Sequence, residues 1–500
     1  MMKRIRFARS RSHAPARWPQ STWLVHLLYC LRPWRHAVPL EIPARARRVR
    51  DAAGCAPLPP ATVSHPWDLR RHDCFSAARF IPLLAACVGL ALVSAARADH
   101  WPQLRGPLGT GTTEGRNLPV EFGPEQNVRW KLPLAGHSAA TPAVWGEHIF
   151  LLSPDGPDRG DVYLLALDLE GRERWRRKLC GGNRPLGFNG KNNLASPSPV
   201  TDGEHVWQLV GTGDLYCFDF DGRQVWHVSL FDEYERYQTL FGIGFSPLLF
   251  QGALYIPYLH QGDSFVLAID AATGQEKWKT ARRTTAQDES KDSYSSPCVF
   301  DYGDRAEIVV CGADLANAYD SATGREVWRH GDINPTANRT LRIIVSPVSD
   351  GERIYVASAK RGPIHAIRPG GQGDVTSSHR LWTATRDTPD VPTPAVAEGL
   401  FYMLRENGVL TVLDAASGQE YYQARIAEQS GAFSPSPVVA DGKVYMANES
   451  GLVVVVAAGR EFQKLAENRL GELIMATPVV VDDRLYVRTE GHLYCFSPAE

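Results

Sequence analysis

The sequence has no excess of charge of either sign. Its 54 Lys and Arg stand against 55 Asp and Glu, for a formal net charge of −1. Affinity for nucleic acid rests on cationic attraction to phosphates, so this balance argues against a nucleic-acid-binding role. The nine cysteines form no CxxC, no CxxCH and no adjacent pair. The nucleophile, metal and phosphate templates HExxH, GxSxG, GxxxxGK[ST] and GxGxxG are absent as well. Long apolar runs are scarce. Trp23 to Leu31 is too short to span a bilayer, and the longest run, FIPLLAACVGLALVS from Phe80, falls short of the ~20 residues a spanning helix needs.

That run has the layout of a secretory signal. Arg70, Arg71 and Arg79 precede it, and Ala96-Arg97-Ala98 fits the small-x-small cleavage rule, which predicts a cut before Asp99 and a periplasmic or secreted protein. Two other outcomes fit the same residues: a retained anchor from Phe80, or lipidation at Cys87 in Leu84-Ala85-Ala86-Cys87. Either would be the protein's only membrane attachment. Residues 1–79 are rich in Arg and Pro without strand or helix periodicity, and read as a disordered extension, an early start codon or a basic tail. Residues 99–127 are a Gly- and Pro-rich leader, with Trp101, Pro102 and Arg105 expected along the surface of the domain that begins at residue 128.

From residue 128 onwards the chain repeats. ALDLEGRERW ends at Trp175, CFDFDGRQVW at Trp226, LAIDAATGQEKW at Trp278 and AYDSATGREVW at Trp328, and TVLDAASGQEYY places Tyr422 at the same position. Each copy reads as strand, tight turn with Gly at positive φ, strand. Between the copies runs a second signature, Ser or Thr followed by Pro and an apolar pair, at Pro142, Pro197 with Pro199 (SPSPV), Pro247, Pro297, Pro347, Pro394, Pro437 and Pro478. A period of 41 to 55 residues with four short strands per repeat points to a β-propeller of eight four-stranded blades. In the third repeat the strands are expected at Leu248 to Phe250, Ala253 to Pro257, Phe265 to Asp270 and Glu276 to Lys279. The last repeat stops short of its fourth strand, whereas Asn127 to Lys131, with Trp130, looks like an orphan fourth strand. Pairing the two would close an all-β ring without free sheet edges.

The pattern Ala-x-Asp-x-x-(Thr)-Gly-x-x-x-Trp resembles the tryptophan-docking repeat of PQQ-type propellers, the family of quinoprotein alcohol dehydrogenases and of BamB. The segment WPQ-x-RGP at Trp101 is similar to a leader found before secreted members. The resemblance implies that Trp130, Trp175, Trp226, Trp278, Trp328 and Trp382 dock each blade onto its neighbour. It also sets a test for chemistry, because enzymes of the family use PQQ with calcium and carry a vicinal Cys pair beside the cofactor. No such pair occurs here, and no Asp or Glu matches the catalytic base, so no cofactor is expected and PQQ with Ca²⁺ is the alternative.

The remaining candidates lie at the mouth of the central channel, where His137, Asn193 and Arg342 are expected to converge, and on the longest inter-blade loops. Leu230 to Phe245 gathers Phe231, Tyr234, Tyr237, Phe241 and Phe245, as a partner-binding surface or as a plug folded onto the ring. Asp155, Asp158 and Asp161 do not match an EF-hand and read as a solvated acidic hairpin. Cys217 and Cys495 share one repeat position and read as small core residues, while Cys298 and Cys311 flank one hairpin with a disulfide left open. The sequence therefore predicts an exported, monomeric, non-catalytic propeller that binds envelope or secreted proteins through its loops. The alternatives are a PQQ/Ca-dependent dehydrogenase and a propeller binding a small ligand in its channel.

Overall fold

The computed structural model describes residues 100–155, 160–179, 191–312, 314–358, 360–428 and 431–498. Residues 1–79, Cys87, the cleavage motif with Ala96 and Ala98, Asp158 and Cys180 lie outside the described residues. Eight antiparallel sheets of successive strands make an eight-bladed propeller. In blade three the strands are Leu248–Phe250, Ala253–Tyr258, Phe265–Asp270 and Glu276–Ala281, so the fourth continues two residues past the expected Lys279. The closing blade takes its outer strand from the other end of the described chain: Val128–Pro133 pairs antiparallel with His492–Phe496, beside Arg484–Arg488 and Val479–Val481.

Burial varies with strand position. The second strand of blade three is buried at every residue, because neighbouring blades cover both of its faces, whereas the outer strand Glu276–Ala281 buries Trp278 among exposed neighbours. First strands of adjacent blades, such as Ala143–Trp145, Val200–Thr201 and Leu248–Phe250, lie against one another around the axis.

The Ser/Thr-Pro signature builds a ring of hydrogen bonds there. The hydroxyl of Ser198 accepts from the N–H of Thr141, Ser246 from Ser198, Ser296 from Ser246, and Ser346 from Ser296. Thr393, Ser436 and Thr477 continue the ladder. Blade two uses Ser198-Pro199 rather than Ser196-Pro197. Each buried N–H that no strand can satisfy is thus met by the next blade's hydroxyl, and the adjoining Pro has no N–H to satisfy. The ladder opens at the seam between blades eight and one, where Thr141 Oγ1 has no partner among the described residues. There the buried Arg488 of blade eight donates instead to the carbonyls of Leu152 and Gly136.

The tryptophans tie the outer strands. The indole N–H of Trp130 donates to Leu169 O at 2.7 Å, Trp175 to Phe220 O at 2.8 Å, Trp226 to Ala271 O at 2.9 Å, and Trp278 and Trp382 to Ser321 O and Ala415 O at 3.0 Å, each in the next blade. The acceptor is always the residue after the motif Asp, whose carboxylate holds the turn: Asp270 Oδ1 accepts from the N–H and hydroxyl of Thr273. The ring lies on the motif Gly, so a Cβ on Gly222 would meet Trp175 at 2.6 Å. Trp175 and Trp226 pair across their hairpins with Ala166 and Cys217, and Trp130 pairs across the closing seam with Cys495, beside a bulge in each case. A small residue opposite the indole explains the LYCF cysteines. Cys298 and Cys311 are buried free thiols.

Trp328 departs from this scheme. Its N–H donates to Glu307 Oε2 at 2.8 Å within its own blade. Blade five replaces the short turn by a longer connection whose Gly373–Asp374 pairs in parallel with Trp328 and Arg329, covering the place where a docking carbonyl would stand. Tyr422, the other variant, packs against Phe462 at 5.9 Å between ring centroids.

Candidate functional site

Alternating strand directions divide the connections between two faces of the ring. Strand one to two and strand three to four hairpins occupy one face. Strand two to three hairpins and inter-blade loops occupy the other.

The leader lies across the first face. Trp101, fully buried, exchanges both backbone hydrogen bonds with Val144 of blade one. Pro102 O accepts from Thr201 of blade two, and Gln103 Oε1 from Leu249 of blade three. Thr110 O and Gly111 O accept from Val396 of blade six and Val439 of blade seven. Arg105 reaches inward from between these contacts: Nη1 donates to Pro437 O at 2.9 Å and Nη2 to Pro394 O at 2.8 Å. Both carbonyls belong to the Ser/Thr-Pro ring. Burial pulls the Arg105 guanidinium down to about 9, since nothing charged offsets its lost hydration. The leader thus lies along the domain surface as expected, with the side chains of Trp101 and Arg105 buried beneath it. A Gly-rich segment without alternation hides this, because its bonds go to strands far away in sequence.

The second face carries the predicted channel-mouth residues, and their side chains are engaged by the protein itself. Asn193 is buried, its Nδ2 donating to His137 O at 2.8 Å and its Oδ1 accepting from Ala195 N at 2.9 Å. His137 is buried beside it. Arg342 lies in a different inter-blade loop, paired with Glu289 at 2.9 Å and set over the Phe241 ring at 5.1 Å. The structure thus brings His137 and Asn193 together and gives Arg342 a separate set of partners. The carboxylates around the mouth are held likewise. Asp387 pairs with Arg405, and Asp390 accepts from Lys360 N. Glu406 accepts from Asp390 N and Val391 N, and Glu449 from Lys191 Nζ and Ser434 Oγ. Glu472 accepts from Thr489, Gly491 and His492. Asp292 accepts from Leu240 N and Tyr294 Oη, and burial raises its pKa above the ordinary aspartate value. Among the described residues no three His, Cys, Asp or Glu are grouped as metal ligands would be.

The aromatic loop Leu230 to Phe245 folds onto the ring. Tyr237 is buried, its hydroxyl 2.8 Å from both Leu259 O and Ser293 O, and Phe245 is fully buried. Phe231 packs on Gly213, and Tyr234 donates to Glu276 at 2.6 Å beside Phe265. The loop's exposed apolar side chain is Leu240, at 51 %. Of the five aromatics, Phe231, Tyr234, Tyr237 and Phe245 pack with the core of blades two and three, while Phe241 lies against Tyr294 and under Arg342.

The sequence model of the family described as outer membrane protein assembly factor BamB matches residues 158–299, 262–387 and 303–500. Among solved structures, BamB from Moraxella catarrhalis is similar over 74 % of this chain and 97 % of its own, with TM-score 0.54 and 14 % identity. Quinohemoprotein alcohol dehydrogenase from Comamonas testosteroni is similar over 82 % of each chain, with TM-score 0.62 and 15 % identity. A europium-containing methanol dehydrogenase is similar over 80 % of this chain and 98 % of its own, with TM-score 0.60 and 11 % identity. At these identities the likeness is one of fold. No curated protein matches the chain in sequence.

Proposed function

Because the chain belongs to the family described as outer membrane protein assembly factor BamB, we propose that it is an exported, non-catalytic propeller that serves as a protein-interaction scaffold in the cell envelope. The observation that carries this reading is the state of the channel mouth. Asn193, Arg342, Asp387, Asp390, Glu406, Glu449 and Glu472 each already bond to protein partners. A calcium-held quinone would need several carboxylate and amide oxygens turned into the channel, and freeing them would leave Arg342, Arg405 and Lys191 without their partners. On this reading the mouth does not fit that cofactor.

A scaffold needs a rigid ring and an accessible face. The Trp docking bonds and the hydroxyl ladder supply the first, and the inter-blade loops with exposed Leu240 supply the second. The expected partner is a component of the outer-membrane-protein assembly machinery. A photo-cross-linker placed at Leu240 in the intact cell should capture such a component, and removal of the protein should lower outer-membrane protein levels. Saturable, calcium-dependent PQQ binding together with alcohol oxidation would replace this reading by the dehydrogenase one.

A further inference from the structure

Away from the axis, on the face opposite the leader, blade three carries a groove of about 850 Å³. Its walls come from the aromatic loop at Tyr234, the hairpin Gly262 to Phe265, the end of the outer strand at Lys279 to Thr284, and Lys291. Four cationic side chains line it: Lys279, Arg282, Arg283 and Lys291.

Two of these are placed by the fold. The Lys279 ammonium rests over the rings of Tyr234 and Phe265, at 4.8 and 4.9 Å from their centroids, so it is held at the groove wall rather than free to swing into solvent. Arg282 is 4 % exposed; its guanidinium donates to Asn317 Oδ1 and to the carbonyls of Gly312 and Leu315. Its Nη1 has no partner among the described residues. Burial lowers its pKa, against opposing contributions from Tyr319, Cys311, Asp314 and Glu326. None of the four cations is in ion-pair contact with a described carboxylate.

Acidic groups share the groove. Glu235 is occupied, taking the N–H of Asp263 and lying 3.3 Å from His260 Nε2. Glu233 and Asp263 are exposed at its edge. A bare polyanion would meet these carboxylates unfavourably. A ligand with one oxyanion and several hydroxyls would place the anion among the cations and donate its hydroxyls to Glu233 and Asp263.

We propose that the blade-three groove binds an acidic carbohydrate, a sugar bearing a carboxylate or phosphate group, at a site distinct from the central channel. The volume suits a mono- or disaccharide, and Lys279, Arg283 and Lys291 supply the anion contacts, with the buried Arg282 guanidinium adding positive charge behind the wall. This does not depend on the scaffold reading, since the groove lies off the axis.

The test is calorimetric titration of the exported protein with glucuronate, glucose 6-phosphate, inorganic phosphate and uncharged glucose. Saturable binding of glucuronate or glucose 6-phosphate is expected, at least tenfold tighter than phosphate, with glucose silent. The acid that binds identifies the oxyanion. Lys279→Ala and Arg283→Ala, both at exposed positions, should each weaken binding about tenfold, while Arg342→Ala should leave it unchanged. Absence of saturable binding by both acidic sugars would overturn the proposal. So would phosphate binding as tight as theirs, or binding indifferent to both groove variants.

Discussion

The Trp175 indole of blade one donates to Phe220 O of blade two at 2.8 Å, and its ring lies directly over Gly222. One side chain thus fixes both the spacing and the rotation between two blades. The same pairing recurs at Trp130, Trp226, Trp278 and Trp382.

Gly222→Ala tests how far that contact governs stability. Gly222 has φ of 77° and no room for a Cβ, whereas Gly146, at φ 54°, has nothing within 4 Å. Gly146→Ala should cost about 1 kcal/mol for backbone strain alone. Gly222→Ala should cost roughly 2–4 kcal/mol, because the indole must also move. Thermal and urea unfolding of the two variants separates the effects, and equal losses would count against docking.

The hydroxyl ladder gives a second pair. Ser246→Ala removes the acceptor of the buried Ser198 N–H and should destabilise by about 1–3 kcal/mol. Thr141→Val, at the seam where the hydroxyl has no partner among the described residues, should be neutral to within about 0.5 kcal/mol or stabilising. A similar loss at both positions would show that the ladder is incidental to stability.

Arg105→Met should release the leader. The change leaves Pro394 O and Pro437 O without a donor while keeping most of the side-chain volume. Limited proteolysis should then cut between residues 106 and 118, where the native protein resists, with the ring itself still protected. Unchanged protection would mean that the backbone bonds of residues 101–111 suffice to hold the leader.

Acid sensitivity should arise between blades four and five. His330 Nε2 and His365 Nδ1 lie 2.6 Å apart and buried, and burial holds both at about 4, below the ordinary 6.5. Arg380 also disfavours protonation of the pair, against opposing contributions from Asp332 on both and Asp374 on His330. With the folded values depressed, the unfolded chain takes up protons first. Stability is complete above about pH 6.5 and declines as pH falls towards 4. The midpoint of thermal unfolding should drop across that window, and His365→Leu should flatten the decline. A slope unaffected by His365→Leu would place the titration elsewhere.

The repeat period, the Ser/Thr-Pro positions and the missing last strand determined the all-β class, the number of blades and the closure between Val128–Pro133 and His492–Phe496. These features are local patterns repeated in phase, and a closed ring is the arrangement that leaves none of their apolar faces or edges exposed. The sequence also located the docking tryptophans Trp175, Trp226 and Trp278, since each sits a fixed distance after its turn Gly.

What long-range contact decides was not legible. Arg105 reads as a leader residue until Pro394 and Pro437, 289 and 332 residues away, come within reach. Trp328 carries the same motif as Trp278, yet its partner changed because blade five has a different turn. The aromatic loop read equally as a partner surface and as a plug, because the gap it fills exists only between assembled blades. The groove of Lys279 and Arg283 has no local signature, because its cations come from a strand end and from the following inter-blade loop, and its walls from three separate connections. Tertiary structure decided these points, since each depends on which blade ends meet in space rather than on which residues are neighbours along the chain.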